Sequence, residues 1–347
     1  MVIMNVVIIS LIYMKHLLKI LFLFPLFLSC TNTQEEPMPT PEEEQTAIGF
    51  AAKVENSRAE SSLSNVQTDG FSVWGGYGSY NVFDGTTVTY DTNTREWGYV
   101  TDYEPTRYWA LDQEYIFFAA YPEDVTENVT VTNGTYSLAV TTPSNPEKHL
   151  DILTASAYTN TGETNFSNVV SFNFSHLLTK VNLMVGQDFA KNSEDDFIVT
   201  KVTLSGIRAE GTYNVACANG DVTTQWQMTN ATTNLEKQYN PGLSLKNLGE
   251  GKFQTVWGED GLLLIPQTIA SHAVKIRIDY IWYTKIGEED IIENDYMEAF
   301  LPATDIWQSG KAVTYSIKIS DERNIVFMAP TVESWSSPPT GGSIIIK

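Results

Sequence analysis

Apolar and polar residues alternate along most of this chain with the two-residue period of a β-strand. Ile48, Phe50, Ala52 and Val54 share one face of a segment whose other face carries Gly49, Ala51, Lys53 and Glu55. Val274, Ile276, Ile278, Tyr280 and Trp282 alternate with Lys275, Arg277 and Asp279, and Val313, Tyr315, Ile317 and Ile319 repeat the pattern near the end. Asn133-Gly134 joins Val129–Thr132 to Thr135–Val140, the dipeptide that closes two-residue hairpins because both positions tolerate positive φ. Asp91 to Thr94 forms a second turn, between Thr86–Tyr90 and Glu96–Val100. No window shows helical periodicity, so the pattern predicts an all-β chain.

One run breaks phase. Phe172, Phe174 and His176 share a face, and then Leu177, Val181, Leu183 and Val185 take over on the other. A strand changes faces only through a bulge or turn, which the pattern places near Leu178. The polar stretch 159–165 just upstream is the expected domain boundary. It divides the folded part into an N-terminal domain, 47–164, and a C-terminal domain, 165–347, each with the strand-and-turn spacing of a β-sandwich.

The front end has a different character. Met14-Lys15-His16 precedes the almost unbroken apolar run Leu17–Leu28, the form of a signal peptide over residues 1–29, with Met14 as the expected true start. Cys30 follows Leu28-Ser29, which resembles a bacterial lipobox with Phe27 in place of the usual Leu; Cys30 is therefore the candidate lipidation site. Residues 30–46 alternate Pro and Glu with small polar residues and offer no apolar face to bury, so they read as a tether. Gln34-Glu35-Glu36 resembles the acidic tag of surface-exposed lipoproteins in Bacteroidota.

Charge narrows the partners. The formal net charge is −21, a surface that repels phosphate backbones and excludes nucleic acid. With Cys30 committed to the leader, Cys217 is the one remaining cysteine, so no intramolecular disulfide framework can form. Eight Trp, seventeen Tyr and sixteen Phe agree with a β-rich core. Trp97, Tyr99, Tyr103 and Trp109 also suggest a sugar-stacking platform, set against the plainer reading that they pack the core.

Catalytic and metal signatures are missing. His149, His176 and His272 stand far apart without zinc-ligand spacing, and there is no nucleophile elbow or phosphate loop. Gly75-Gly76-Tyr77-Gly78 has no following helix and reads as a turn, and His176 reads as a hydrogen-bonded core residue. No cofactor, metal site or enzymatic activity is expected.

Six stretches in order carry a family resemblance: Phe118–Pro122, Asp151–Ala155, Phe172–Val181, Leu264–Gln267, Trp307–Lys311 with Tyr315–Ile317, and Val332–Trp335. Together, behind a lipobox, they make the chain resemble the fimbrillin family of Bacteroidota, the type V pilins and their accessory subunits. The resemblance implies two tandem transthyretin-like β-sandwich domains after a lipoprotein leader. It implies a cell-surface fimbrial subunit, held by lipid in the outer membrane before maturation and assembled with other subunits by donor-strand exchange. It also implies that an arginine-specific protease removes the first strand.

Arg58-Ala59 is the expected cut site, because Asn56, Ser57, Glu60 and Ser61 keep it in an exposed polar loop, whereas Arg95 and Arg107 lie among aromatics. Ile48, Phe50, Ala52 and Val54 would leave with the removed strand. Ile344, Ile345 and Ile346, behind Pro338-Pro339 and Gly341-Gly342, form the candidate donor strand or the last strand of their own domain. A glycan-binding lipoprotein that never polymerises is the alternative. Stalk, tip and anchor roles stay open, as does any host or glycan ligand.

Overall fold

The computed structural model describes residues 45–54, 63–99, 101, 104–187, 195–248, 251–320 and 323–335. The described chain is all-β apart from one seven-residue helix and three short 3-10 turns. Its first half contributes β1 (Gly49–Val54), α1 (Leu63–Asp69), β2 (Phe71–Tyr77), β3 (Tyr80–Asp91), β4 (Glu96–Gly98), β5 (Glu114–Tyr121), β6 (Val129–Thr132), β7 (Thr135–Thr141), β8 (Leu153–Asn160) and β9 (Val169–His176). Seven of these close a barrel in the order β1-β4-β3-β2-β5-β8-β9, with β9 pairing back to β1. Its core is aromatic, with Phe71, Phe83, Tyr115, Phe117, Phe172 and Phe174 almost fully buried.

Beyond it run β10 (Thr179–Gln187), β11 (Asp196–Arg208), β12 (Glu210–Ala218), β13 (Asp221–Met228), β14 (Thr232–Ser244), β15 (Phe253–Thr255), β16 (Leu262–Leu264), β17 (Gln267–Ile269), β18 (Lys275–Ile286), β19 (Glu289–Phe300), β20 (Thr304–Trp307), β21 (Lys311–Ile319), β22 (Ile325–Phe327) and β23 (Thr331–Ser334). One sheet is built on β10 and β21, which are parallel, with β15, β16, β22 and β23 along their outer edges. A second runs β14-β11-β18-β19. The two enclose one aliphatic core: Val181, Leu183 and Val185 of β10 meet Ile276, Ile278 and Tyr280 of β18, as the alternation requires.

The phase flip marks the passage between the two layers of architecture. β9 buries Val170, Phe172, Phe174 and His176 in or against the barrel, while β10 buries Thr179, Val181, Leu183 and Val185 in the sandwich. Leu177 and Leu178 sit between them, both buried. Val169–His176 lies beyond the 164/165 division expected from the sequence, yet it completes the barrel through its ladder to β1. A further sheet, β13-β12-β7-β6, also crosses that division: β12 pairs with β7 from Glu210↔Thr141 to Val215↔Tyr136. It packs Tyr136, Leu138, Val140 and Val215 against the outward faces of Trp74, Ile116 and Phe118, a third core shared by both halves. Residues 45–335 thus belong to one contact unit.

Local signals account for the turns. Asn133 (φ 50°) and Gly134 (φ 73°) close the β6–β7 hairpin with both residues left-handed. Gly75 and Gly76, expected in a turn, instead lie inside β2. A Cβ on Gly75 would stand 2.2 Å from the Phe117 ring, and one on Gly76 would stand 1.8 Å from the Tyr80 carbonyl oxygen. The glycines serve close approach across the barrel wall, and the turn itself begins at Gly78.

Candidate functional site

The site of interest is the seat of β1 in the barrel wall. Six consecutive residues, Gly49 to Val54, pair in parallel with Val169 to Phe174 of β9, and Phe50 faces Trp97 of β4 on the other side. Alternation directs Ile48 and Phe50 inward, where they are 2% and 5% exposed, while Ala52 and Val54 are partly buried against the same core and Lys53 faces solvent. Phe50 is the hub: its ring stacks on Phe172 and meets Phe83, Tyr99 and Phe117 edge-on, all with centroids within 6.2 Å. Burying Ile48 and Phe50 contributes roughly 1.5–3 kcal/mol each, with about 0.5–1.5 kcal/mol more for each good aromatic pair.

The entry of β1 is fastened by groups to which sequence patterning gave no such role. The Ile48 amide donates to the Arg107 carbonyl (2.9 Å), the Gly49 amide to the Asn168 carbonyl (2.9 Å), and the Trp109 amide to the Thr46 carbonyl (3.0 Å). The Tyr99 hydroxyl donates to the Ile48 carbonyl (3.1 Å) and accepts from the Arg107 amide (3.0 Å). Burial pushes the Tyr99 phenol up, so it stays a neutral donor. Arg107 lays its guanidinium over the Phe83 ring at 4.8 Å and pairs with Glu104 at 2.7 Å. These are loop residues, and local alternation carries no information about them.

Several expectations are resolved here. Tyr99 and Trp109 are 5% and 6% exposed, Trp97 packs on the barrel core, and Tyr103 lies outside the described residues. The plainer of the two readings therefore holds for Trp97, Tyr99 and Trp109, which serve the core: Tyr99 fastens β1 and Trp109 closes the barrel end. Arg107 is half-buried among aromatics as anticipated, whereas Arg95 is exposed in the β3–β4 turn at φ 61°, where Asp91 organises the backbone through Asn93. Cys30, Arg58, Ala59, Ile344, Ile345 and Ile346 lie outside the described residues.

Two histidines brace the junction between barrel and sandwich. His176 is a buried core histidine bonded through Nδ1 to Asp151 (2.8 Å) and stacked on Trp335 (centroids 4.1 Å, planes 12° apart). Trp335 is held by its amide to the Gly310 carbonyl, and the Gly310 amide bonds Leu178, so the end of the described chain folds back on the point where β9 gives way to β10. His149 Nε2 donates to the Pro143 carbonyl (2.9 Å), and its Nδ1 accepts from the Leu263 amide of β16 (3.1 Å). Desolvation lowers the pKa of His149, which keeps it in the neutral form these two bonds require. A cavity of about 210 Å³ opens beside it, between Val140, Ile152, Leu178 and Leu263. Among the described residues no cluster of His, Cys, Asp and Glu has the grouping to hold a metal, and no helix is long and apolar enough to cross a membrane.

Solved structures resemble this chain to different degrees. A fimbrial protein from Bacteroides vulgatus is 18% identical with a TM-score of 0.59, over 83% of this chain and 99% of that one. A fimbrial assembly protein from Parabacteroides distasonis is 12% identical with a TM-score of 0.36, over 83% and 99%. Among curated protein sequences none matches. The model of the fimbrillin-like family matches residues 48–335, from the first buried residue of the barrel wall to Trp335, and the chain belongs to the fimbrillin-like family.

Proposed function

We propose that this chain is a structural or tip subunit of a cell-surface fimbria of the type V pilus kind, without enzymatic activity. In this reading the barrel and the sandwich correspond to the two transthyretin-like domains expected of the chain. The protein is exported as a lipoprotein on Cys30, cut by an arginine-specific protease between Arg58 and Ala59, and assembled by donor-strand exchange with other subunits.

The observation that carries the reading is the position of β1. It is the first strand of the described chain, it buries Ile48 and Phe50 in the barrel core, and it is bonded on both edges. Its removal leaves an apolar groove between β4 and β9 and a row of unpaired amides and carbonyls on β9, a template for an added strand. Ile344-Ile345-Ile346 supplies the β-branched residues that such a groove accepts.

The test is an Arg58→Ala substitution in the producing cell. The account expects an uncleaved, lipid-bearing monomer and loss of fimbriae. Processing that proceeds unchanged contradicts the assigned site.

A further inference from the structure

We propose that the pole of the barrel at which β1 begins is the seat for the body of a second fimbrial subunit. The proposal rests on the strand-exchange reading above and adds to it a place and a polarity. β1 runs parallel to β9, with Gly49 opposite Val169 and Val54 opposite Phe174. The alternating directions around the barrel then gather the ends of β2 and β8 and the starts of β3, β5 and β9 at this pole: Tyr77 pairs with Tyr80 and Tyr115, and Glu114 pairs with Asn160. The opposite pole lies at His176, where the chain passes to the sandwich. A strand that replaces β1 in its own direction enters from the first pole. A donor joined to its body through the strand's N-terminal end therefore brings that body to the same pole.

The surface there suits contact. Tyr80 is 68% exposed, Leu111 62%, Tyr108 45% and Val169 37%, so four of the large exposed apolar residues collect at one end of the barrel. They border a line of rings that crosses the pole: Tyr80 to Tyr77 (5.4 Å), Tyr77 to Tyr115 (4.8 Å), Tyr115 to Trp109 (4.7 Å) and Trp109 to Phe166 (5.7 Å). Exposed apolar residues scattered singly are ordinary, but a gathered set marks a contact surface. Tyr80 occupies the start of β3 just after a Gly-Ser turn, where no core residue is required. The pole is also continuous with the groove. Removal of the chain through Arg58 takes the Thr46 carbonyl off the Trp109 amide, the Ile48 carbonyl off the Tyr99 hydroxyl, and the Ile48 and Gly49 amides off the Arg107 and Asn168 carbonyls, so donors and acceptors at the rim lose these partners where an incoming chain would enter. The surface suits a folded subunit better than a sugar, because the Tyr115 and Trp109 rings are buried beneath the rim and offer no open face for stacking.

The test uses the full chain carrying Tyr80→Asp together with Leu111→Asp, both on exposed side chains, with Ile286→Asp on the β18–β19 hairpin as the control (65% exposed). Each protein is matured, and polymer is measured by sedimentation and electron microscopy. The double variant is expected to mature at Ala59, to keep its melting temperature within about 2 °C, and to lose polymer by about ten-fold or more. The Ile286 variant is expected to polymerise as wild type. A photo-crosslinking residue placed at position 80 is expected to join adjacent subunits in wild-type-length polymers. Wild-type levels of polymer from the double variant, or no crosslink in polymers that do form, overturn the seat alone. A matured wild type that stays monomeric overturns the strand-exchange reading, and the seat with it.

Discussion

Phe50 and Phe172 stack across the β1–β9 ladder with ring centroids 5.7 Å apart and planes 20° apart. Phe172 is fully buried, and Phe50 is the only one of the pair that leaves when residues up to Arg58 are removed. The pair therefore ties the integrity of the barrel to a strand that, in the proposed maturation, leaves with the segment ending at Arg58. Whatever fills the groove must replace the Phe50 ring or leave Phe172, Phe83 and Phe117 facing water.

Phe50→Ala in the uncleaved chain is expected to cost about 3–5 kcal/mol, from the lost burial and the cavity left among four rings. Urea denaturation measures it. Lys53→Ala, on the solvent side of the same strand, is expected to stay within about 0.5 kcal/mol. Equal effects at the two positions would contradict the inward assignment of Phe50.

His149 predicts a pH dependence. Its pKa is lowered in the folded chain by desolvation, so between the folded and unfolded values the unfolded chain binds more protons. The contribution of His149 is complete above its unfolded pKa of about 6.5 and is lost as the pH falls below it. Protonation places a donor on Nδ1 where the Leu263 amide already donates, breaking a link between barrel and sandwich. Asp124 and Lys148 are the charged residues that line the same cavity. Melting curves from pH 8 to 5 should fall less steeply for His149→Gln than for wild type. Superimposable profiles would contradict this role.

The strands that face a single core were legible in the sequence. The alternation at Ile48–Val54, at Val274–Trp282 and at Val313–Ile319 reads directly as one buried and one open face, and Asn133-Gly134 announces its own hairpin. Partner choice was not legible. Nothing local in Thr135–Thr141 says that it will pair with Glu210–Ala218, because the ladder's backbone bonds are the same for any neighbour. The family stretch Val332–Trp335 pointed at a residue that mattered, but not at the His176 ring it covers. Aromatic side chains gave the weakest guidance. Tyr80 and Tyr99 are the same residue type near strand ends, yet one is 68% and the other 5% exposed. The change of apolar phase was legible, and the expected boundary was set just upstream of it at 159–165; the cores change over at Leu177-Leu178 itself, after β9 has completed the barrel.

Deletion of Gly342–Lys347 separates the two roles left open for Ile344–Ile346. The account expects matured protein that keeps its monomer fold by circular dichroism and loses high-order oligomers. An unfolded or degraded monomer would show that these isoleucines complete their own domain.

The central claim is that the chain through Arg58 is removed on the way to the fimbria, and the N-terminal sequence of the protein recovered from the cell surface tests it most directly. The account predicts Ala59 as the first residue of the polymerised form, with the uncleaved precursor beginning at an acylated Cys30. Polymerised surface protein that still begins at Cys30 and retains Phe50 would contradict it.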